Sequence, residues 1–174
     1  GDIQLNDING GSFRVVVQHK EKSFDNNSLE HITELREKEK NLNLHTVQPF
    51  DDFIKKINDE KDKLVTFIKN EVSAGKTVHC YGASTKGNTL LQFYNLDKKL
   101  IQFIADRNPD KWGRRTIGTD ISIISEEESH SMNPDYFLIL PWHFIKEFKE
   151  REKDYLKNGG KLLVPLPRFK VIDV

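Results

Sequence analysis

The sequence predicts an α/β fold: a Rossmann-like three-layer domain with a mostly parallel sheet and helices on both faces. Two observations lead to this fold class. Short apolar runs alternate with amphipathic stretches from residue 77 onward, which is the order of strands and helices around a parallel sheet. The first of these runs ends in a small-residue turn, residues 82–88, that leads directly into a helix.

Residues 1–49 are predicted to form a strand and helix extension ahead of the core. Residues 13–19 are rich in β-branched side chains and predict a strand, whereas the polar residues before them predict turns. Ser28 is a suitable N-cap for a short charged helix over residues 29–40. A linker follows and ends at Pro49, a residue that suits the first turn of a helix.

The Rossmann-like core is predicted over residues 50–174, and it begins with a long helix over residues 50–73. The apolar residues of this helix recur with the spacing i, i+3, i+4, i+7 from Phe50 onward, and its other face is charged and solvated. Gly75 is the expected C-cap.

The remaining strands and helices of the core alternate along the chain. Runs rich in apolar and β-branched residues predict strands over residues 77–81, 100–105, 121–124, 136–140 and 161–165. Helices are predicted over residues 85–95, from Ser125, and over residues 142–157.

Composition narrows the function classes. The chain of 174 residues has 27 basic and 27 acidic residues, and a nucleic-acid-binding domain would usually carry a basic excess. Cys80 is the single cysteine, which excludes an intramolecular disulfide and fits a reducing compartment. The histidines lack metal-ligand spacing and no long apolar run predicts a membrane span. We therefore expect a cytoplasmic protein without nucleic-acid, membrane or metal partners.

The turn after the strand 77–81 offers a seat for a phosphate group. Backbone N–H groups point out of a helix N-terminus, Ser84 or Thr85 can cap the helix, and Lys86 adds a positive charge. Two of the three glycine positions of the dinucleotide fingerprint hold other residues, and Lys86 precedes Gly87, unlike the order in a P-loop. The turn is either an anion site or an ordinary βα turn.

Three segments, residues 81–88, 106–115 and 141–143, follow predicted strands and should meet at one edge of the sheet. Asp106 either binds a nucleotide ribose or caps a turn. The basic loop around Lys111 either clamps a diphosphate or is simply exposed.

The segment after the strand 136–140 adds an aromatic side chain, Trp142, and a titratable one, His143. His143 is either a general acid or base or a hydrogen-bonding residue at a helix start. Gly10 and Gly11, at the start of the chain, likewise form either a functional loop or the approach to a strand.

Four stretches, taken together and in order, resemble one family. They are Asn9-Gly10-Gly11-Ser12-Phe13-Arg14, Tyr81-Gly82-Ala83-Ser84-Thr85-Lys86-Gly87-Asn88-Thr89, Asp106-Arg107-Asn108-Pro109 with Gly113, and Leu140-Pro141-Trp142-His143-Phe144. The chain resembles the C-terminal domain of S-adenosylmethionine-dependent sugar C-methyltransferases over nearly its whole length.

The resemblance implies a single substrate-binding domain of a larger methyltransferase, which agrees with a chain that begins at Gly rather than Met. Such proteins carry an N-terminal zinc-binding domain and a central methyl-donor domain, and we expect S-adenosylmethionine to bind mainly there. A base removes a proton next to the keto group of a nucleotide diphosphate-linked sugar, and the enolate takes the methyl group. The isolated chain is therefore expected to be inactive.

The resemblance also implies a set of site residues. The implied substrate-binding residues are Gly10, Gly11, Ser12, Arg14, Gly82, Ala83, Ser84, Thr85, Lys86, Gly87, Asn88, Asp106, Arg107, Asn108, Lys111 and Trp142. Family members often place a His, the proposed base, where this chain has Asn9. An amide cannot act as a general base near neutral pH, although it can hydrogen-bond an enolate oxygen. The catalytic candidates are His143, Tyr81 and Asn9, and the identity of the base stays open.

Two other function classes remain. The first is a non-enzymatic Rossmann-like module that binds a nucleotide or holds an assembly together. Gly82, Asp106 and Asn9 would suit such a module. A nicotinamide-dependent oxidoreductase is disfavoured because the glycine fingerprint is broken.

Overall fold

The computed structural model describes residues 1–19, 21–23 and 26–173 of the chain, without the side chain of Asn9. The chain divides into an N-terminal unit, Gly1–Lys56, and a core unit, Ile57–Val174. The predicted division into domains at residue 49 stays a prediction.

The N-terminal unit contains a hairpin and helices. Strand β1 (Asp2–Asn6) pairs antiparallel with β2 (Ser12–Val16). Helix α1 (Asn26–Asn41) follows, and then the first part of α2 (Gln48–Ser73). The sequence-based prediction was wrong in placing only turns before residue 12 and in extending the strand to residue 19. Strand β1 is polar and partly exposed, so its pairing with β2, rather than an apolar pattern, makes it a strand.

The core unit contains a six-stranded sheet with the order β5-β4-β3-β6-β7-β8. The strands are β3 (Val78–Tyr81), β4 (Phe103–Ala105), β5 (Ser122–Ile124), β6 (Tyr136–Ile139), β7 (Lys161–Val164) and β8 (Lys170–Ile172). Neighbouring strands are parallel, except that β8 runs antiparallel to β7. The predicted mostly parallel sheet is confirmed, whereas β8, which is largely exposed, was not predicted.

Helices cover both faces of the sheet. The core unit continues with α3 (Thr85–Tyr94), α4 (Glu126–Ser131), α5 (Ile145–Arg151) and α6 (Lys153–Lys157). The single helix predicted over residues 142–157 is wrong: a 3-10 turn (Trp142–Phe144) precedes α5, and the chain breaks again at Glu152. Glu152 is buried, and its carboxylate accepts a hydrogen bond from the Tyr81 hydroxyl, 2.9 Å away.

Two apolar layers hold the helices to the sheet. On one face, Leu64 and Ile68 of α2 and Leu91 of α3 are fully buried in a cluster with the sheet. On the other face, Phe148 of α5 and Leu156 of α6 pack in a second cluster. Each fully buried side chain of this size contributes roughly 1.5–3 kcal/mol. The predicted three-layer Rossmann-like fold is confirmed.

The apolar stripe predicted along the long helix is buried only in its second half. In the first half, Phe50, Phe53 and Ile54 are each more than half exposed, at 54%, 59% and 54%. The predicted long helix is therefore confirmed, whereas its apolar stripe is exposed at this end.

Gly87 allows the first turn of α3 to touch Leu140, the residue that follows β6. A Cβ atom there would lie 2.8 Å from both Cβ and Cδ1 of Leu140. We expect Gly87→Ala to lower the free energy of unfolding by about 1–3 kcal/mol through overpacking, although alanine by itself favours a helix over glycine by about 0.5–1 kcal/mol. Urea denaturation measures the change. Thr89→Ala, on the exposed side of the same helix, is the control and should change stability by less than about 0.5 kcal/mol. A Gly87→Ala variant as stable as the wild type would contradict this close packing.

Candidate functional site

Strand β3 occupies the middle of the sheet, and the chain continues from it to β4 on one side and later to β6 on the other. Ligands of open α/β sheets bind at such a switch point, beyond the carboxyl ends of the strands. A Cβ atom on Gly82, after β3, would lie 2.9 Å from Cδ of Pro141, after β6. The N–H of Ala83 donates to Asp106, after β4. We call the region formed by these three loops the β3 edge.

The turn after β3 delivers the N-terminus of α3 to this edge. Gly82 has a left-handed φ of +83°, and its N–H donates to the carbonyl of Ala105 over 2.8 Å. Ser84 is the N-cap, with its hydroxyl accepting from the N–H of Gly87 over 3.1 Å. The first turn of α3 contains no acidic residue. This arrangement suits an anion at the helix N-terminus.

Asp106 ties the loops of β3 and β4 together. Its side chain is buried, and one carboxylate oxygen accepts from the N–H of Ala83 at 2.7 Å and from Nζ of Lys111 at 3.0 Å. The other oxygen accepts from the N–H of Asn108 at 2.8 Å. Of the two predicted alternatives, Asp106 therefore fills the role of a turn cap, and its binding of a ribose stays a prediction.

The basic groups around Asp106 are held in ion pairs. Lys111 also donates to the carbonyl of Ala83 over 2.8 Å, so its ammonium lies against the β3 turn rather than in open solvent. Arg107 pairs with Glu126 at 3.2 Å. Trp112 donates its indole N–H to the carbonyl of Asp106 over 2.7 Å. A phosphate group would have to share these cations with their carboxylate partners, so the predicted roles of Lys111 and Arg107 stay predictions.

His143 lies in the 3-10 turn after β6. It is partly buried, and its Nδ1 atom is fully buried without a hydrogen-bond partner among the described residues. Burial lowers the pKa of His143, and the positive charge of Lys86 lowers it further. The imidazole is therefore neutral near pH 7 and has a nitrogen able to accept a proton. Trp142, predicted to line the site, packs on the apolar layer that contains α2 and α3.

Tyr81 is fully buried in a polar network that was not predicted. Its hydroxyl donates to Glu152 and lies 2.6 Å from Nε2 of His130, which is itself 3.2 Å from the Glu152 carboxylate. Burial raises the pKa of Tyr81 well above its usual value, and the Glu152 carboxylate raises it further. The phenol is thus a poor general base. One sequence signal pointed to this network: Glu152 stands four residues after Phe148, on the apolar face of the helix.

Two clefts flank the turn after β3. The first, which we call the uncharged cleft, has a volume of about 290 Å³ and is lined by Ala83, Ser84, Thr85, Asn88, Ile104, Thr116, Ile117, Ile123 and Leu140. The second, the charged cleft, has a volume of about 270 Å³ and is lined by Tyr81, Gly82, Asp106, Arg107, Glu126, Pro141, Phe144, Glu147, Phe148 and Arg151.

Comparison with known proteins assigns the family. Residues 7–167 match the family described as the C-methyltransferase C-terminal domain. The chain belongs to this family. It is also 31% identical over 171 residues to the C-methyltransferase NovU of Streptomyces niveus, an alignment that covers 98% of this chain and 40% of that protein. The predicted resemblance to C-methyltransferase C-terminal domains is confirmed, and the chain spans about two-fifths of this relative.

The remaining predicted site residues of this C-methyltransferase C-terminal domain belong to its N-terminal unit. Gly10 and Gly11 have φ angles of +85° and +124°, which favour glycine, and Ser12 donates to the carbonyl of Ile8 over 3.3 Å. Arg14 is exposed on β2. The side chain of Asn9 lies outside the described residues. The roles of these residues stay predictions.

The described residues include no group of three or more His, Cys, Asp or Glu side chains placed to hold a metal ion. Among the helices of the described part of the chain, none is both long and apolar enough to cross a membrane.

The pair of His130 and Glu152 should make the stability of this domain depend on pH. The hydrogen bond to Glu152 raises the pKa of His130, so the protonated imidazole stabilises the fold. This stabilisation is full below the unfolded pKa of about 6.5 and is lost as the pH rises through the higher folded pKa. Because the His130 side chain is 38% exposed, we expect a loss below about 1 kcal/mol between about pH 5.5 and about pH 8.5.

Urea denaturation of the wild type and of His130→Ala at both pH values measures this effect. The pKa of His31 is also raised, by its hydrogen bond to Asp2, but that contribution is present in both proteins and cancels in the difference. His45→Ala, at an exposed position, is the matched control. A stability difference between wild type and His130→Ala that does not shrink at high pH would refute the role given to the pair.

Proposed function

We propose that this chain is the substrate-binding and partly catalytic domain of an S-adenosylmethionine-dependent C-methyltransferase that acts on a nucleotide-linked keto sugar. Membership of the C-methyltransferase C-terminal domain family and the identity with a C-methyltransferase support transfer of a methyl group to carbon. One observation carries the proposal. At the β3 edge, the N-terminus of α3, which suits a phosphate group, lies near the partly buried and neutral imidazole of His143.

The diphosphate of the substrate would lie at the N-terminus of α3. A helix N-terminus favours an anion by roughly 0.3–1 kcal/mol, and by up to about 2 kcal/mol where it is partly buried. Lys86, in the first turn, would add a charge-assisted hydrogen bond to a phosphate oxygen. The ammonium of Lys111 lies against the carbonyl of Ala83, where it balances the buried carboxylate of Asp106, 3.0 Å away.

The N-terminus of α3 is an unsuitable site for the methyl donor. S-adenosylmethionine supplies an electrophilic methyl group on a positively charged sulfonium, and the positive end of a helix dipole with Lys86 in its first turn repels a cation. We therefore assign this edge to the anionic substrate and place the donor mainly outside this chain. The residues of this chain bind and orient the sugar nucleotide and move a proton.

His143 is the proposed general base. It would take the proton from the carbon next to the keto group. The electrons of that C–H bond would form the C=C bond of an enolate, while the π electrons of the C=O bond move to the keto oxygen. Its neutral state supports this role, and because Nδ1 is fully buried, Nε2 is the nitrogen that would accept the proton. Tyr81 is disfavoured because its phenol is held protonated by burial and by Glu152.

A nucleotide diphosphate sugar should bind to this chain and shift the amide resonances of residues 82–88. We expect Lys86→Ala to weaken the binding about tenfold to a hundredfold, since a hydrogen bond from a charged group contributes about 1.5–3 kcal/mol. Isothermal titration calorimetry and amide chemical shifts measure the effect. Lys69→Ala removes an equal charge from an exposed position of α2 and should leave the affinity unchanged. The absence of both heat and shifts would count against the proposal.

His143→Ala in the full-length protein should lower kcat by about 10²–10⁴-fold, the usual contribution of a general base, while the dissociation constant of the sugar nucleotide stays nearly constant. In the wild type, the rate should fall as the pH drops through the lowered pKa of His143, below about 6.5, because a protonated imidazole cannot accept a proton. Steady-state kinetics as a function of pH measure both effects, with His45→Ala as the exposed control.

A non-enzymatic binding module is the second candidate, and Asn9 in the place of the family's proposed base favours it. The experiment on His143 separates the two functions. Lost turnover with retained binding supports the enzyme, whereas ligand binding in a full-length protein that transfers no methyl group supports the module.

A further inference from the structure

We infer that the uncharged cleft is the seat of the heterocyclic base of the nucleotide, with an N–H group of the base donating to Oδ1 of Asn88. This inference rests on the proposed function, in which the diphosphate of the same ligand lies at the N-terminus of α3. The inference assigns a binding site to the base of the nucleotide, in addition to the site of the diphosphate, and it names Asn88 as the residue that selects for the base.

The chemistry of the cleft walls suits a neutral ring. The floor is apolar and formed by the buried side chains of Ile104, Ile123 and Leu140. Every polar residue that lines the cleft is uncharged. A nucleobase has two apolar faces and a polar edge, and pockets for such groups are mostly apolar with a few placed polar atoms. The volume of about 290 Å³ is below the range of about 300–1,000 Å³ for whole drug-sized ligands, so the cleft fits one ring system rather than the entire sugar nucleotide.

Asn88 provides an acceptor without a donor. Its Oδ1 atom is fully buried and has no hydrogen-bond partner among the described residues. A buried, unpaired polar atom carries a desolvation cost, and because Asn88 lines the cleft, a rotation of its side-chain amide brings Oδ1 to the cleft, where a ligand donor removes that cost. Nucleobases carry N–H groups on their edges, so a base in the cleft can supply the missing hydrogen bond.

The position of the cleft matches the order of groups in a nucleotide. Ser84 and Thr85 line the cleft and also begin α3, so a base seated there has its phosphates next to the helix N-terminus. The cleft on the other side of the turn is lined by Arg107, Glu126 and Arg151, which form ion pairs with one another. A neutral ring in that cleft would desolvate these charges, which disfavours it as the base site.

The rim of the uncharged cleft is preorganised, since its loop is fixed by hydrogen bonds without a ligand. Ile117 lines the cleft although its side chain is 81% exposed. Its loop is fixed to α3, because Gln92 donates to the carbonyl of Ile117 over 2.8 Å. The loop is also fixed next to the start of β5, because the hydroxyl of Thr116 accepts from the N–H of Ile121 over 2.9 Å. An exposed isoleucine on a fixed loop can cover one face of a bound ring and thereby lose its contact with water.

Titration of the chain with UDP, CDP, ADP, GDP and inorganic pyrophosphate tests this inference. We expect at least one nucleotide to bind about tenfold or more tightly than pyrophosphate and to shift the Asn88 side-chain amide and the amides of residues 116–118. Pyrophosphate should shift only residues of the β3 turn. Asn88→Ala should weaken the tightest nucleotide about tenfold and leave pyrophosphate unchanged, and Thr89→Ala, the next residue on the exposed side of α3, should change neither.

A second measurement does not depend on any variant of the protein. The analogue of the tightest nucleotide that is methylated at its N–H edge should bind the wild type about tenfold more weakly, and it should lose little further affinity in Asn88→Ala. Nucleotides that bind no more tightly than pyrophosphate, or that bind without shifts at Asn88 and residues 116–118, would overturn the base seat while leaving the diphosphate site intact. The absence of binding by every compound would instead overturn the proposed function.

Discussion

The β3 edge depends on one buried carboxylate. Asp106 accepts hydrogen bonds from the N–H of Ala83, the N–H of Asn108 and the ammonium of Lys111. It thereby fixes the loops that follow the neighbouring strands β3 and β4. A buried charge is tolerated only when it is paired and hydrogen-bonded, and here every partner comes from the loops that need to be positioned. The charge of Asp106 is thus balanced by the same groups that shape the turn into α3.

This arrangement leaves the helix N-terminus available for a ligand and separates two environments beside it. The uncharged cleft is apolar with an unpaired acceptor, and the charged cleft is crossed by ion pairs of Arg107, Glu126 and Arg151. His143 approaches from the loop after β6, next to Lys86. A ligand with a neutral ring, an anionic middle and a carbon acid at its far end would meet a suitable group at each position.

The sequence predicts the core well because its strands are buried on both faces and therefore read as continuous apolar runs. It predicts the exposed elements poorly, since β1 and β8 become strands by pairing rather than by pattern. The same contrast, between features that the sequence predicts and features that only the fold creates, holds for the site. The turn at Gly82 and the meeting of the three loops follow from topology, whereas the choice of Asp106 as a cap and the contact of Tyr81 with Glu152 arise between residues distant along the chain.

The two outer strands of the large sheet, β5 and β8, have three residues each. Such short edge strands present few unpaired N–H and C=O groups, and β5 is further shielded by an antiparallel bridge between Arg115 and Ser122. A parallel sheet forms slowly during folding because its pairings are distant along the chain, and its open borders invite other molecules to add strands. The short length of these edge strands therefore protects copies of the protein from aggregating with one another while they fold.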